Sequence, residues 1–307
     1  MKKLILPVLG LAILATACGG AKSEEATTTT DSTAVVKTDS VATATPDKPN
    51  PFKDYPSGST TAKAGESILI PSYNWLIDGT TKGNDQTTYI YYSATMGEPG
   101  DGNSTVDYMF DGKKEVPNYM IVPIASGGTA KKGDIVLTWW QSGSGMQRAI
   151  VTNDKNPAEP EVNYIDIDWN NPAKRDGVGF GQMKEKIKPN TFVKISKLWD
   201  IGSGVAVKDA DGKYKNWIIV NIQGDKVLCI GFAGRMAMFN KADCTPMEVI
   251  PNVKAGDKVQ APWVGTIKNC TVKSVNKEYG RVVVKFDAFP DDYFIPYGDI
   301  TTGLDIK

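Results

Sequence analysis

Paired carboxylates are the side chains of this sequence that could do acid–base chemistry. The 307 residues contain no histidine, which removes the commonest general base near neutral pH and the commonest metal ligand. Asp166 and Asp168 share one face of a predicted strand with Tyr164, and Asp291 and Asp292 lie together in a predicted turn. Glycosidases use two such carboxylates, but no other catalytic feature accompanies either pair here. We therefore expect solvated carboxylates and no enzyme activity.

Two loops have a composition that could bind a cation or a phosphate. Asp209-Ala210-Asp211-Gly212 matches the start of a calcium loop, but the twelfth position, which should supply a bidentate glutamate, holds Val220. The glycine-rich residues 177–181 lack the strand and helix that flank a phosphate-binding loop. The first stretch is interpreted as a hairpin turn and the second as a flexible loop, so neither a metal nor a cofactor is expected.

The four cysteines are Cys18, Cys229, Cys244 and Cys270, and their spacing matches no CxxC zinc or redox motif. Cys229 and Cys244 fall in one predicted segment and could form a disulfide in an oxidising envelope if their Cα atoms lie within about 7 Å. Free buried thiols are the alternative for this pair. Cys270 is left unpaired in both cases.

Charge and composition narrow the partners and the fold class. The chain has 35 basic and 35 acidic residues, whereas nucleic-acid binding requires a basic excess or a basic stripe, so no nucleic acid is expected as a partner. Thirty glycines and 18 prolines favour a turn-rich β protein over a helical one.

The N-terminus predicts secretion. Lys2 and Lys3 precede an apolar stretch that is too short to span a bilayer, and small residues follow it. Leu14-Ala15-Thr16-Ala17-Cys18 resembles the lipobox of bacterial lipoproteins. The resemblance implies that residues 1–17 are a signal peptide and that Cys18 carries acyl chains of the palmitate type. Gly19 is not the aspartate that retains such proteins in the inner membrane, so we expect an outer-membrane lipoprotein; an ordinary secreted protein is the alternative.

Residues 18–62 are predicted to be a disordered tether. They are rich in Thr, Ser, Ala, Lys, Asp, Glu and Pro and contain few large apolar side chains, so they cannot bury enough surface to fold. A flexible coil of this length has a mean reach of about 35–40 Å. The tether would therefore hold a folded body away from the bilayer.

Four segments then repeat one pattern at a period of roughly 50–60 residues. Each opens with a turn residue and a polar residue, reaches an apolar residue three positions on, and ends its first strand at an aromatic. The openings begin at Gly65, Gly133, Asn190 and Gly256, and the aromatics are Trp75, Trp139 with Trp140, Trp199 and Trp263. The segments are assigned to residues 63–127, 131–189, 190–247 and 254–303, and closure of the first as a barrel is left open.

The last segment supplies a family resemblance. Gly256-Asp257-Lys258-Val259, Trp263, Val284-Lys285-Phe286-Asp287 and Asp299-Ile300 make it similar to a Tudor or agenet domain, a type of SH3-like barrel. The other segments follow it less closely. The resemblance implies an all-β chain of tandem small barrels, which suits strands too short to leave a wide sheet open.

The resemblance also implies candidate ligand-binding residues. Tudor domains hold methylated lysine or arginine in an aromatic cage. The matching positions are Trp263, Phe286, Asp287 and Tyr293 in the last segment and Trp139, Trp140, Tyr164 and Asp166 in the second.

The alternation of side chains along a strand limits which of these residues can contact a ligand. It places Phe286 in the core, and it points the adjacent Trp139 and Trp140 to opposite faces, so one of these two tryptophans should be exposed or lie between barrels. Aromatic side chains that serve packing alone are the alternative to a binding site.

The sequence thus predicts a membrane-anchored, non-catalytic envelope lipoprotein whose barrels bind a protein or glycan partner. The alternative is a structural spacer or assembly scaffold of the envelope without a discrete ligand site. In both cases the N-terminal lipid would make the membrane itself a partner.

Replacing Cys18 tests the anchor. Cys18→Ala should release the protein from membranes because no thiol remains to be acylated, whereas Cys270→Ala should leave it membrane-bound. Fractionation of producing cells measures this, and a Cys18→Ala protein that still sediments with membranes would refute lipidation.

Overall fold

A computed structural model describes residues 50–167 and 181–306, which belong to one compact unit. The fold is all-β, as predicted: the strands of the described residues pair antiparallel in three sheets, and these residues include one α-helix, α1 (Tyr73–Thr80). No helix in these two ranges is long and apolar enough to cross a membrane. The predictions for the signal peptide, Cys18, most of the tether, Asp168 and residues 177–180 lie outside the described residues.

Barrel 1 consists of five strands, with α1 between the first two. Their bounds are β1 (Ser67–Pro71), β2 (Tyr91–Met96), β3 (Asn103–Tyr108), β4 (Gly112–Pro117) and β5 (Val122–Pro123). Barrel 2 follows with β6 (Ile135–Trp139), β7 (Met146–Asn153), β8 (Glu161–Tyr164), β9 (Lys184–Lys186) and β10 (Val193–Ile195).

Barrels 3 and 4 share one nine-stranded sheet, joined where Lys215 pairs with Thr266. Barrel 3 contains β11 (Gly204–Lys208), β12 (Tyr214–Gln223), β13 (Lys226–Gly231), β14 (Met236–Asn240) and β15 (Cys244–Pro246). Barrel 4 contains β16 (Lys258–Trp263), β17 (Thr266–Asn276), β18 (Arg281–Phe286) and β19 (Asp292–Pro296).

The same strand order recurs in all four barrels. The first four strands form a meander, and a fifth strand returns to pair with the first, which gives the order 4-3-2-1-5. In barrel 4 a single bridge between Gln260 and Thr301 takes the place of the fifth strand. Alternation along β18 puts Val282, Val284 and Phe286 into the core, as the sequence predicts.

The prediction that the third segment begins at Asn190 is wrong. Val193–Ile195 pairs with residues 135–137 and is therefore the closing strand of barrel 2, because β6 would otherwise present an unpaired edge. The first strand of barrel 3 is Gly204–Lys208 instead. In barrel 1, Trp75 lies in α1 and not at the end of the first strand.

The tether also ends earlier than residue 62. Phe52, Tyr55 and Ala62 are buried, and the Tyr55 hydroxyl donates a hydrogen bond to Asn221 Oδ1 at 3.0 Å. Two aromatic rings supply the apolar area that the sequence interpretation denied to this segment. Residues 50–62 are therefore part of the folded body.

The cysteines of the described residues, Cys229, Cys244 and Cys270, are free thiols. Burial raises the pKa of Cys244 to about 11 and that of Cys270 to about 12. Cys229, in the core of barrel 3, has its pKa raised by burial as well. All three are held as neutral thiols near pH 7, so they are poor nucleophiles.

Close backbone contact joins barrels 3 and 4. A Cβ added to Gly204, the first residue of β11, would lie 2.1 Å from the carbonyl oxygen of Gly298. Gly204→Ala should therefore lower the free energy of unfolding by about 1–3 kcal/mol, since the two backbones must move apart.

Urea denaturation measures this effect. The matched control is Gly58→Ala, whose Cβ would meet only the flexible end of Gln223 at 3.2 Å. Equal stability of the two variants would contradict the close packing of barrels 3 and 4.

Candidate functional site

A cavity of about 710 Å³ lies where the four barrels meet, and every barrel contributes to its walls. Barrel 1 contributes residues 88–91, before and at the start of β2, and barrel 2 contributes residues 144–148, on β7 and its preceding loop, with Asp166. Barrel 3 contributes Asn216, Ile218 and residues 230–234, at the end of β13 and after it, and barrel 4 contributes Pro262, Gly265, Pro296 and Asp299. Its walls are mainly apolar, with a few polar groups, which is the usual character of a ligand site.

A buried ion cluster forms the charged part of this central cavity. Arg148 Nη2 donates to Asp166 Oδ1 at 2.6 Å and to Asp299 Oδ1 at 3.0 Å. Arg148 Nε contacts both oxygens of Asp166, and the backbone N–H of Arg148 donates to Asp166 Oδ2 at 2.8 Å. One guanidinium is therefore shared by a carboxylate of barrel 2 and a carboxylate of barrel 4.

The backbone around this cluster is shaped to admit the guanidinium. A Cβ on Gly298 would lie 2.5 Å from Arg148 Nη1, and Gly298 also has a φ of +85°. Both the space and the left-handed backbone favour glycine at this position. The Gly298-Asp299 pair thus brings a carboxylate to Arg148 and leaves room for it.

The two carboxylates do not share the guanidinium equally. Burial alone would lower the pKa of Arg148, but attraction to Asp166 and Asp299 outweighs it, so that pKa is raised and the guanidinium stays charged. Burial raises the pKa of Asp299, attraction to Arg148 lowers it, and repulsion from Asp166 raises it again, so that the pKa stays above its ordinary value. The cluster carries one positive and up to two negative charges.

Two amide oxygens at the cavity are left without partners. Gln147 Oε1 and Asn216 Oδ1 are buried atoms that accept no hydrogen bond. An unsatisfied buried acceptor costs about 1–3 kcal/mol. The Asn216 side chain also interacts with Asp299 by hydrogen bonding, which helps to fix its position next to the ion cluster.

Two residues have unusual backbone angles, one that lines the cavity and one directly before the lining residue Gly265. Ala233 has a φ of 56°, and Val264, in the two-residue turn between β16 and β17, has a φ of 49°. Such turns favour Asn or Gly, and a β-branched residue at positive φ is a true outlier. Each costs on the order of 1–3 kcal/mol, and strain of this kind clusters at functional sites.

Phe232 is exposed at the same cavity. Its relative exposure is 60%, and a Cβ added to Gly265 would lie 2.4 Å from the Phe232 Cβ. The turn of barrel 4 and the loop of barrel 3 therefore meet there and hold the phenylalanine in an exposed position.

Of the residues predicted from sequence, Asp166 lies in this cavity, whereas Tyr164 does not. Tyr164 is completely buried in the core of barrel 2, where its hydroxyl donates to Glu185 Oε1, so it is unavailable to a surface ligand. Trp140 packs edge-on against Tyr164 and donates its indole N–H to the Gln182 carbonyl at 2.7 Å. Both side chains therefore serve barrel 2 itself.

Trp139 points to the opposite face, as alternation requires. It is half-buried and lines a recess together with residues of barrel 1, among them Ser67, Thr95 and Asp107. One tryptophan of the pair was expected to be exposed or to lie between barrels, and Trp139 lies beside residues of barrel 1.

Trp263 and Tyr293 do come together, in an aromatic cluster at one end of barrel 4. Trp263 stacks on Phe289 with ring centroids 4.3 Å apart, and Tyr293 contacts Phe289 and Phe286 edge-on. Lys268 Nζ lies 5.5 Å from the Trp263 ring centroid. The stacked rings leave no gap between them for a cation, and the lysine of the chain itself occupies the ring face.

Asp287 stands apart from that cluster. It is exposed, and its nearest charged partner is Lys258 at 4.0 Å. An exposed pair at this distance contributes little to stability.

Sequence reasoning missed Arg148, Gln147, Asn216 and Asp299 as site residues. One signal was present: Arg148 interrupts the apolar run of β7, where a charged residue must find a buried partner. Nothing in the spacing indicated that this partner lies 151 positions further along the chain. Within residues 50–167 and 181–306, no group of three or more acidic or cysteine side chains is placed to hold a metal ion.

Comparison with known proteins adds little to this picture. No family model matches the chain, and no curated protein matches it. Among solved structures, one match is the crystal structure of ADCP1 tandem Agenet domain 3-4. It is 16% identical, covers 34% of this chain and 81% of that chain, and has a TM-score of 0.20.

Removing the shared cation tests the ion cluster. Arg148→Met should lower the free energy of unfolding by about 3–5 kcal/mol, because two buried carboxylates lose their partner. Adding Asp166→Asn and Asp299→Asn to this variant should restore most of the loss, since no uncompensated charge then remains. Urea denaturation at pH 7 measures both, and an Arg148→Met protein as stable as the parent would rule out a buried ion cluster.

Proposed function

We propose that this chain is a lipid-anchored, non-catalytic protein of the outer membrane that binds a protein or glycan partner. The observation that carries the proposal is the central cavity, to which all four barrels contribute and in which buried hydrogen-bond acceptors are left free. Membrane attachment rests on the resemblance of residues 14–18 to a lipobox.

The cavity favours binding over a purely structural role. A spacer would gain from an extended row of barrels, whereas these four pack into one compact unit around a common opening. Of the two strained residues, Ala233 lines that cavity and Val264 directly precedes Gly265, which also lines it; both lower stability without forming part of a core.

The carboxylates of the cavity also support binding without catalysis. Asp166 and Asp299 both accept hydrogen bonds from Arg148, which orients them toward the guanidinium and away from the role of a free general base.

Site-specific photo-crosslinking in producing cells tests the proposal. A photoreactive residue is placed at Ser144, which is exposed at the cavity, and at Ser274, which is exposed on β17 and lines none of the described cavities. A discrete adduct should form from position 144 and not from position 274. Mass spectrometry of the proteolysed adduct identifies a protein partner by a crosslinked peptide from a second protein, and a glycan partner by crosslinked sugar masses.

Blocking the cavity should remove that adduct. The crosslinker is moved to Thr88, also exposed at the cavity, and combined with Ser144→Trp or with the matched control Ser274→Trp. Adducts that survive Ser144→Trp, or that form only from position 274, would favour the scaffold alternative.

A further inference from the structure

We infer that the central cavity receives the basic side chain of a partner polypeptide, an unmodified lysine or arginine. This inference rests on the proposed binding function and specifies the chemistry of the ligand. It follows from the charges, the free acceptors and the apolar walls of the cavity, taken in turn.

The formal charge of the cavity lining is negative. Its charged residues are Arg148, Asp166 and Asp299, so one cation faces two carboxylates. The Arg148 side chain already donates to both carboxylates through Nε and Nη2. A second cation at this position would complete the charge balance that Arg148 leaves unfinished.

Two of the hydrogen-bonding groups next to this cluster are free acceptors. Gln147 Oε1 and Asn216 Oδ1 are buried and have no partner, and the guanidinium beside them donates to Asp166 and Asp299 through Nε and Nη2. A ligand that satisfies them must bring N–H or O–H donors. A lysine ammonium has three donors and an arginine guanidinium five, and neither has an acceptor that would compete.

The walls suit the aliphatic stem of such a side chain. Ile90, Met146, Ile218 and Ile230 line the same cavity as the ion cluster, and Phe232, which also lines it, is exposed. Lysine and arginine bury their stems along apolar surfaces while the charged head reaches polar groups. An exposed ring adds attraction for a passing cation.

The same features oppose the two other ligand classes. A neutral glycan offers more acceptor sites than donors, because each hydroxyl has one O–H donor and two acceptor lone pairs, and these acceptors would face carboxylates and amide oxygens. A trimethylated lysine keeps the charge but has no N–H donor, so it would leave Gln147 Oε1 and Asn216 Oδ1 unsatisfied. The aromatic cluster at Trp263 is a separate feature, and Lys268 covers its ring face.

Titration calorimetry with matched peptides tests the inference on the full-length chain in detergent micelles. The probes are acetylated, amidated Gly-Gly-X-Gly-Gly peptides in which X is lysine, norleucine or trimethyllysine. Norleucine keeps the stem without the charge, and trimethyllysine keeps the charge without the donors. The lysine peptide should bind at least tenfold more tightly than either, and more weakly in high salt.

Gln147→Met provides the site variant. It is close in shape, and it removes an acceptor that has no partner in the protein, so the fold should be retained, as thermal unfolding will show. Affinity for the lysine peptide should fall about tenfold. The matched control is Gln86→Met, because Gln86 is exposed and lies outside the cavity; it should leave the affinity unchanged.

Several outcomes would overturn the inference. Equal binding of the lysine and norleucine peptides would show that the lysine charge does not contribute to affinity. Tighter binding of the trimethyllysine peptide would indicate an aromatic cage. Gln147-dependent binding of maltohexaose would assign the cavity to glycans, and free lysine bound as tightly as the peptide would assign it to a small cation. A Ser144 adduct in cells without any preference for lysine would refute this inference and leave the proposed function standing.

Discussion

The shared guanidinium of Arg148 is the constraint on which the arrangement of the barrels depends. A buried cation must be compensated, and its two carboxylates come from different barrels, Asp166 from barrel 2 and Asp299 from barrel 4. Barrels 2 and 4 are therefore held at a separation that hydrogen bonds of 2.6 and 3.0 Å allow.

Other contacts between barrels combine buried polar groups with apolar packing, since one hydrophobic cluster contains buried residues of all four barrels. Arg281 of β18 is buried and donates to the carbonyl of Ile167 at 2.8 Å, which brings barrel 4 against the end of β8. The Tyr89 N–H donates to the Gly234 carbonyl at 2.8 Å and links barrel 1 to barrel 3. Hydrogen bonds are directional, so these contacts define the relative orientation of the barrels more narrowly than area burial would.

The aromatic cluster at Trp263 and the central cavity differ in the groups that they leave free to contact a ligand. Around Trp263 the rings satisfy one another by stacking and edge contacts, and a lysine of the chain covers the exposed face. At the central cavity the polar atoms are incompletely satisfied, and strained backbone lies in its lining or directly next to it. Unpaired buried polar atoms and strained backbone both lower the stability of the fold. Their occurrence together at one cavity favours a binding site, where a partner can compensate for the lost stability.

The sequence by itself determined the all-β class, the recurrence of one strand pattern in four segments, and which residues of a strand face the core, for example Val282, Val284 and Phe286 of β18. Side-chain alternation and turn chemistry carried this information. These properties follow from local rules, because side chains alternate along a strand and glycine-containing pairs such as Asp211-Gly212 close hairpins. The same rules placed the side chains of Trp139 and Trp140 on opposite faces of the sheet. They failed at Asn190, where a turn residue followed by apolar residues opens one strand as readily as it precedes the last strand of the previous barrel.

Only the tertiary structure decided which partners the residues on the outer faces of the barrels contact. Arg281 follows a turn and precedes three valines, yet it is buried because another barrel covers it. Asp166 was a candidate for the wrong reason, as a neighbour of an aromatic cage, and its actual partner is Arg148. Asp299 was read as part of a closing turn, although it completes an ion cluster with a residue 151 positions away. Pairing between barrels depends on the orientation in which they pack, and no local periodicity encodes that orientation.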